Sequence, residues 1–165
     1  MAGLSIAIIG AGIAGLTAAL ALAAEGISVT LFERAERIEE LGAGIQLSPN
    51  ATRLLARLNV LDDVLAKAVE PCSVVIRSAR DLGSLAEVPL TMARQRWGAP
   101  YLVLRRSDLQ GVLLRAAEQN DLITIVTGAN VQNLSLANDG RGVHVDVRGS
   151  IPERHTFSLV IAADG

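Results

Sequence analysis

A buried strand, a glycine turn, a helix start and an acid follow one another near the beginning of this chain. Residues 6–15 read IAIIGAGIAG, and Glu33 lies at the end of the next apolar segment. Gly10 permits a tight turn out of the strand, Gly12 lets a pyrophosphate approach the backbone, and Gly15 lets the helix pack closely on the sheet. The pattern therefore predicts a dinucleotide-binding unit. The alternative is a glycine-rich turn that only packs.

The helix after the turn is expected to begin at the phosphates. The first N–H groups of that helix, at Ile13 and Ala14, and the positive end of its dipole then face the anion. Glu33 is expected to accept hydrogen bonds from the adenosine ribose hydroxyls. Arg34 follows the acid directly, where it either contacts the adenine or is a solvated surface arginine. The sequence leaves those two roles open.

Composition limits the kinds of protein that remain. Half of the 165 residues are apolar and only 2% are aromatic, as expected of one α/β domain with an aliphatic core. A net charge of −2 provides no basic surface for nucleic acid. The single cysteine, Cys72, excludes an internal disulfide and a thiolate metal cluster, and we expect it to be a small buried hydrophobe. His144 and His155 are interpreted as structural, so no metal site and no catalytic triad are assigned.

Residues 2–24 carry no charge, which is also typical of a membrane span or a signal peptide. The glycine turn divides this run, however, and no basic residues precede it. Strands buried on both faces of a parallel sheet are continuously apolar, which explains the run equally well. We therefore expect no membrane segment and a cytoplasmic location.

Apolar periodicity and turn residues predict a doubly wound parallel sheet with an antiparallel β-meander and a β-hairpin. The expected parallel strands are Ser5–Ile9, Ser28–Glu33, Leu122–Thr127 and Phe157–Ala162. The expected helices are Ala14–Glu25, Ala51–Leu58, Leu61–Ala68 and Ser107–Gln119, with residues 34–50 as a loop. The hairpin comprises Ser73–Ser78 and Ser84–Pro89 around a turn at residues 81–83. The meander comprises Asn130–Leu136, Gly142–Arg148 and Arg154–Phe157, with a turn at residues 138–140.

Three further segments carry a family resemblance. They read GAGIQLSPNA at residues 42–51, LRRSDL at residues 104–109 and LVIAADG at residues 159–165. Together with the first motif, they resemble the FAD-dependent aromatic hydroxylases, the single-component flavoprotein monooxygenases that include salicylate hydroxylase and para-hydroxybenzoate hydroxylase. The order and spacing of the motifs match from about residue 4 to the last residue.

The resemblance implies an activity and its reactants. In that family NAD(P)H reduces bound FAD, O₂ then forms a flavin hydroperoxide, and one oxygen atom is transferred to a small aromatic substrate. A phenolic or carboxylated ring is the expected substrate. The cofactor performs the difficult step while the protein positions and shields it. No residue of this chain is assigned a catalytic role.

The resemblance also implies further cofactor contacts. Arg106 matches an arginine that contacts FAD between its phosphates and its ribityl chain, although a salt bridge at the helix start is the alternative. Val131 matches a position whose backbone touches adenine, and Asp164 matches the aspartate of a motif that serves FAD and NAD(P)H together. Gly44 and Ile45 are expected near the flavin ring, because small residues permit close approach. Arg105 is given no role.

Members of this family are considerably longer than this chain, so we interpret it as an N-terminal fragment. Residues 1–70 are the expected first part of the FAD-binding domain, 71–100 a hairpin of an incomplete substrate domain, and 101–165 the second part of the FAD-binding domain. Residues 1–165 alone are expected to be inactive. Two alternatives remain: a dehydrogenase or reductase using NAD(P) or FAD without oxygenation, and a non-catalytic nucleotide-binding fragment. The oligomeric state is left open, a homodimer included.

Overall fold

In the computed structural model of the protein, residues 4–38, 43–137, 140–148 and 153–165 are described. They divide into two units, Met1–Leu41 with Gln110–Gly165, and Gly42–Leu109. The division of the chain into domains at residues 70 and 100 stays a prediction.

The described residues contain both helices and strands. The helices are α1 (Ile13–Ala24), α2 (Pro49–Arg57), α3 (Leu61–Leu65), α4 (Ala93–Trp97) and α5 (Arg106–Glu118). The strands are β1 (Ser5–Ile9), β2 (Ser28–Phe32), β3 (Gly44–Leu47), β4 (Ser73–Arg77), β5 (Ser84–Pro89), β6 (Leu102–Arg105), β7 (Ile123–Val126), β8 (Asn130–Leu136), β9 (Val143–Arg148), β10 (Glu153–Phe157) and β11 (Leu159–Ala162).

A parallel sheet forms the centre of the first unit. Its strand order is β11-β1-β2-β7, and each neighbouring pair is parallel. Three consecutive residues of β1, Ile6, Ala7 and Ile8, are buried, as expected for a strand covered on both faces. Parallel neighbours need a crossover connection, and α1 provides it between β1 and β2. The predicted α/β fold with a parallel sheet is confirmed.

An antiparallel meander of β8, β9 and β10 belongs to the same unit. Val145, Val147 and Phe157 of the meander join Ala7 and Phe32 of the parallel sheet in one buried cluster. The meander therefore covers one face of that sheet, and its prediction is confirmed. Of its predicted turn at residues 138–140, residues 138 and 139 lie outside the described part of the chain.

The second unit contains two short antiparallel pairs and small helices. The hairpin of β4 and β5 is confirmed, and at its turn the Gly83 N–H donates to Oδ1 of Asp81 at 3.1 Å. The loop expected over residues 34–50 is wrong in part, because Gly44–Leu47 forms β3 and pairs with β6. A strand of four residues with a partner so distant in sequence leaves no local pattern to detect. The helix α4 was likewise not predicted.

Two expectations about single segments concern Cys72 and the uncharged stretch near the start of the chain. Cys72 is exposed immediately before β4, so the prediction of a buried cysteine is wrong. A hairpin with only two strands buries little of what adjoins it, which explains the exposure. The uncharged stretch near the start of the chain forms β1 and α1. Across the described ranges, no helix combines the length and the apolar character needed to cross a membrane.

Candidate dinucleotide-binding site

The turn between β1 and α1 requires glycine at its first position. Gly10 has φ +102°, a left-handed conformation that residues with a side chain rarely adopt. A Cβ atom at this position would lie only 2.5 Å from the carbonyl oxygen of Ala163. The Gly10 N–H donates to the Phe32 carbonyl at 2.7 Å, which fixes the turn to the end of β2.

Gly15 lies where α1 approaches the turn most closely. A Cβ atom there would lie 1.9 Å from the carbonyl oxygen of Gly10 and 3.4 Å from Cγ2 of Ile8. No side chain fits into this space without moving the backbone. The close packing of helix on strand that the sequence predicts at Gly15 is therefore present.

Gly12 differs from both of these glycines, because a Cβ atom there would meet nothing within 4 Å. Gly12 is the N-cap of α1, and because it has no side chain it cannot cap the N–H groups of the helix. The first turn of a helix leaves its N–H groups without intrahelical partners, and here these include the N–H groups of Ile13 and Ala14. Open space beside such N–H groups fits a phosphate, since the helix dipole also favours an anion.

The Glu33 carboxylate is held at the same turn. Its Oε2 accepts the Ala11 N–H at 2.8 Å, and its Oε1 accepts the Ala35 N–H at 2.9 Å. The Glu33 backbone is fixed as well, since its N–H donates to Val126 and its carbonyl accepts from Ala129, both at 2.8 Å. A carboxylate has about four lone-pair sites, so two remain for hydroxyl donors. The arrangement can therefore bind a ribose diol without releasing the turn.

Three further predicted residues lie in this unit. The Cα atom of Asp164 would be 3.0 Å from a Cβ built on Gly10, so its backbone adjoins the turn. Arg34 is exposed directly after Glu33. Val131 is half-buried on β8 and packs against the cluster that contains Phe32. The structure thus brings Asp164 to the turn and leaves Arg34 accessible to a ligand beside Glu33.

The remaining predicted residues lie in the second unit, where β3 and the start of α5 meet. Gly44 pairs with Arg105 and Ile45 with Leu104. The Arg106 N–H donates to the Ala43 carbonyl at 3.3 Å. The pairing therefore makes neighbours of Gly44, Ile45 and Arg106, as binding to one ligand would require. Their separation along the sequence does not indicate this proximity.

A salt bridge at the helix start is formed by Arg105, which was given no role. Its Nε lies 2.7 Å from Oδ2 of Asp108 and its Nη2 lies 3.2 Å from Oδ1. This hydrogen-bonded pair holds the pKa of Asp108 below its ordinary value and raises the pKa of Arg105. Because the Arg105 side chain is 75% exposed and that of Asp108 is 18% exposed, solvent still screens the pair, and its contribution to stability is small.

Both histidines contact other side chains of the first unit. Nδ1 of His144 lies 2.9 Å from the Thr156 hydroxyl. His155 lies on β10, within the strand that the sequence predicts, and its ring centroid is 5.6 Å from that of Phe32. In the part of the chain that the structure describes, no group of three or more His, Cys, Asp and Glu side chains is arranged to hold a metal ion.

A cleft of about 780 Å³ lies elsewhere in the first unit, between the parallel sheet and the meander. It is lined by residues that include Thr30, Thr124, Val147 and His155, and by no residue of the glycine turn. The open position at Gly12 is therefore a separate feature.

Sequence reasoning missed one polar residue at the turn. Gln110 is buried with 7% of its surface exposed, and its Nε2 donates to the Ala11 carbonyl at 3.1 Å. The sequence contains one indication of this role, because Gln110 is a polar residue among the apolar residues Leu109, Val112 and Leu113 of the predicted helix.

Comparison with known proteins agrees with this geometry. The chain is 38% identical over 165 residues to the FAD-dependent monooxygenase OpS4 of Beauveria bassiana, covering 98% of this chain and 37% of that protein. It is 34% identical to the 3-hydroxybenzoate 6-hydroxylase of Polaromonas naphthalenivorans, covering 99% of this chain and 40% of that protein. This chain thus spans about two fifths of the length of these relatives.

A solved structure shares the fold and is described with the cofactor. It is Klebsiella pneumoniae HpxO complexed with FAD and uric acid, at 26% identity and a TM-score of 0.81, covering 98% of this chain and 39% of that one. The model of the FAD binding domain family matches residues 4–165. Since that match includes nearly the whole chain, the protein belongs to the FAD binding domain family.

Proposed function

We propose that this chain provides the FAD-binding part of an NAD(P)H-dependent monooxygenase that hydroxylates a small phenolic or carboxylated aromatic compound with O₂. The observation that carries the proposal is the open Cβ position of Gly12 at a helix N-terminus, in a turn to which the Glu33 carboxylate is hydrogen-bonded. Membership of the FAD binding domain family makes FAD the dinucleotide that fits.

The adenosine and pyrophosphate are assigned to the first unit. The pyrophosphate approaches Gly12 and receives hydrogen bonds from the N–H groups of Ile13 and Ala14. The two unused lone-pair sites of Glu33 accept the ribose hydroxyls, and Arg34 contacts the adenine. These groups provide affinity and orientation, and none of them takes part in oxygen transfer.

Val131 and Asp164 complete the contacts proposed for this unit. Val131 offers its backbone to the adenine at the start of β8. The backbone of Asp164 adjoins Gly10, which supports a place for its carboxylate beside the pyrophosphate. Because Asp164 is exposed, its carboxylate can accept hydrogen bonds from a bound ligand.

The neighbouring residues Gly44, Ile45 and Arg106 are proposed to contact the ribityl chain and the flavin ring of FAD. Arg106 donates to the cofactor between its phosphates and its ribityl chain, and Gly44 and Ile45 lie against the flavin ring. The pairing of β3 with β6 supports this set, because it brings these residues close to the start of α5. When bound, FAD supplies the redox chemistry, taking electrons from NAD(P)H and using them to activate O₂.

The name of one relative supports the proposed substrate class. One of them is a 3-hydroxybenzoate 6-hydroxylase, whose name describes a carboxylated phenol as its substrate. A cytoplasmic location belongs to the same proposal, because NAD(P)H and FAD are available there. A homodimer stays a prediction.

The proposal is tested by assaying the full-length protein with FAD, NADH or NADPH, and a panel of hydroxybenzoates. We expect substrate to stimulate NAD(P)H oxidation, with O₂ consumed and hydroxylated product formed in proportion. Oxidation of NAD(P)H without O₂ uptake would identify a dehydrogenase or reductase. Bound FAD with no turnover on any substrate would identify a non-catalytic nucleotide-binding protein. The Gly12→Ala variant is the negative control, since we expect it to fold but to bind FAD poorly.

A further inference from the structure

Gln110 is a polar side chain in an apolar environment. It lies on α5 with 7% of its surface exposed, and its neighbours along the helix that share this burial are Leu109, Val112 and Leu113. Burying an amide is unfavourable unless its polar atoms are hydrogen-bonded. The Nε2 atom of Gln110 donates to the Ala11 carbonyl at 3.1 Å, and this bond offsets part of the cost of burying the amide. The partner is therefore part of the glycine turn.

Ala11 is the central residue of that turn, between Gly10 and Gly12, and it is completely buried. Its N–H donates to Oε2 of Glu33 at 2.8 Å, while its carbonyl accepts from Gln110. Both backbone polar groups of this residue are thus bonded to side chains from other elements of the fold. Two such bonds on opposite sides of one residue fix the orientation of both peptide groups that flank it.

The orientation of those peptide groups matters for the cofactor. The peptide between Ala11 and Gly12 leads directly into the N-terminus of α1, where Gly12 leaves open space. If the Ala11 carbonyl rotated, the Gly12 N–H would rotate with it, because the peptide group is planar. Loss of the bond from Gln110 would therefore allow conformations of the turn that cannot bind a phosphate.

We propose that Gln110 is a positioning residue for the cofactor, which holds the Gly10–Gly12 turn in the conformation that binds the pyrophosphate. This inference rests on the proposed function, since it assigns Gln110 to the same site. Gln110 acts through Ala11 and is not assigned any contact with the substrate or the reacting atoms. The apparent affinity is proportional to the fraction of molecules in the binding-competent conformation, so it falls when that fraction decreases.

The first measurement is amide hydrogen exchange in the cofactor-free, full-length protein. Gln110→Met removes the donor while keeping a similar shape, so exchange at residues 10–12 should accelerate about tenfold. Gln110→Glu keeps the size but presents carboxylate oxygens to the carbonyl, and it should accelerate exchange at least as much. Val112→Ala is the control, because it removes buried volume from the same helix without touching the hydrogen bond.

The second measurement is FAD affinity in the same variants. We expect Gln110→Met and Gln110→Glu to bind FAD about three- to tenfold more weakly than the unmodified protein. Val112→Ala should lower the urea midpoint of the whole protein and leave FAD affinity within about twofold of the original value.

Unchanged exchange at residues 10–12 in both Gln110 variants would overturn the inference. Faster exchange with unchanged FAD affinity would also overturn it, because the turn would then not depend on Gln110 for binding. An equal loss of affinity in Val112→Ala would show that general destabilisation is the cause. If the unmodified protein binds no FAD, the proposed function fails, while the exchange measurement still decides whether Gln110 holds the turn.

Discussion

Oε2 of Glu33 lies 2.8 Å from the backbone nitrogen of Ala11, so the acid that directly follows β2 is hydrogen-bonded to the glycine turn. The acid therefore has two tasks in our account, to hold the turn and to accept the ribose hydroxyls. The two tasks are compatible, because a carboxylate has enough lone pairs for both sets of donors.

Replacing Glu33 tests this double task. Hydrogen bonds to a charged group contribute about 1.5–3 kcal/mol, so Glu33→Ala should weaken FAD binding about tenfold to a hundredfold. Fluorescence titration of the apoprotein with FAD measures the change. Glu36→Ala is a matched control, since it removes an exposed acid three residues away. Equal affinity in Glu33→Ala and the unmodified protein would show that Glu33 does not bind the ribose.

Gly12 and Gly15 form a second pair of matched variants. In Gly12→Ala the new Cβ lies in open space and the backbone is extended, so the free energy of unfolding should change by only about 0.5 kcal/mol. The same Cβ occupies the space proposed for the pyrophosphate, so FAD binding should be blocked. Gly15→Ala places a Cβ 1.9 Å from the Gly10 carbonyl oxygen and should cost about 3 kcal/mol of stability.

Urea unfolding and FAD titration together separate the two effects. The account is contradicted if Gly12→Ala retains full FAD affinity, or if Gly15→Ala is as stable as the unmodified protein.

Arg106 and its neighbour Arg105 provide a third comparison. Arg106→Ala should bind FAD at least about tenfold more weakly, or consume NAD(P)H with release of peroxide in place of product, because a charged hydrogen bond to FAD is lost. Arg105→Ala should change neither property, since Arg105 is exposed and paired with Asp108. Product formed per NAD(P)H oxidised measures the coupling. If both variants behaved alike, the assignment of Arg106 to the cofactor would be wrong.

The pair of Asp146 and Arg154 on the meander predicts a dependence of stability on pH. Nε of Arg154 lies 2.6 Å from Oδ1 of Asp146, and this bond holds the pKa of Asp146 below its ordinary value. A pKa lowered in the folded state stabilises the protein above the unfolded pKa, and this contribution disappears as the pH falls through the folded value. The effect is modest and decreases with added salt, because Arg154 is largely exposed and Asp146 is only partly buried.

Asp146→Asn should therefore lose less stability on acidification than the unmodified protein does. Urea midpoints measured from neutral pH to below the ordinary range of an aspartate carboxyl provide the comparison. Asp62→Asn, which removes an exposed acid of α3, is the control. If the urea midpoint of Asp146→Asn fell with decreasing pH as steeply as that of the unmodified protein, this prediction would be contradicted.

The sequence predicted the parts of this protein whose signals are local. Residues 6–15 contain the strand, the turn and the helix start. Each glycine in this segment satisfies a steric requirement that is known for such turns in general. The continuous apolar runs of the parallel strands were equally readable, because strands covered on both faces do not alternate.

The features that were missed depend on contacts between distant residues. Gly44–Leu47 becomes a strand only because Leu102–Arg105 pairs with it. Gln110 acquires its role through a carbonyl that lies 99 positions away along the chain. The exposure of Cys72 depends on how little a two-stranded hairpin covers. None of these is determined by nearest neighbours in sequence, so propensity and periodicity do not reveal them.

The identity of the cofactor that purifies with the full-length protein tests the central claim most directly. We predict a yellow protein whose absorption spectrum shows bound flavin, and whose released cofactor is FAD. The motivation is the glycine turn with Glu33 in a chain that belongs to the FAD binding domain family. A colourless, fully folded protein that binds NAD tightly and does not take up FAD would contradict the account.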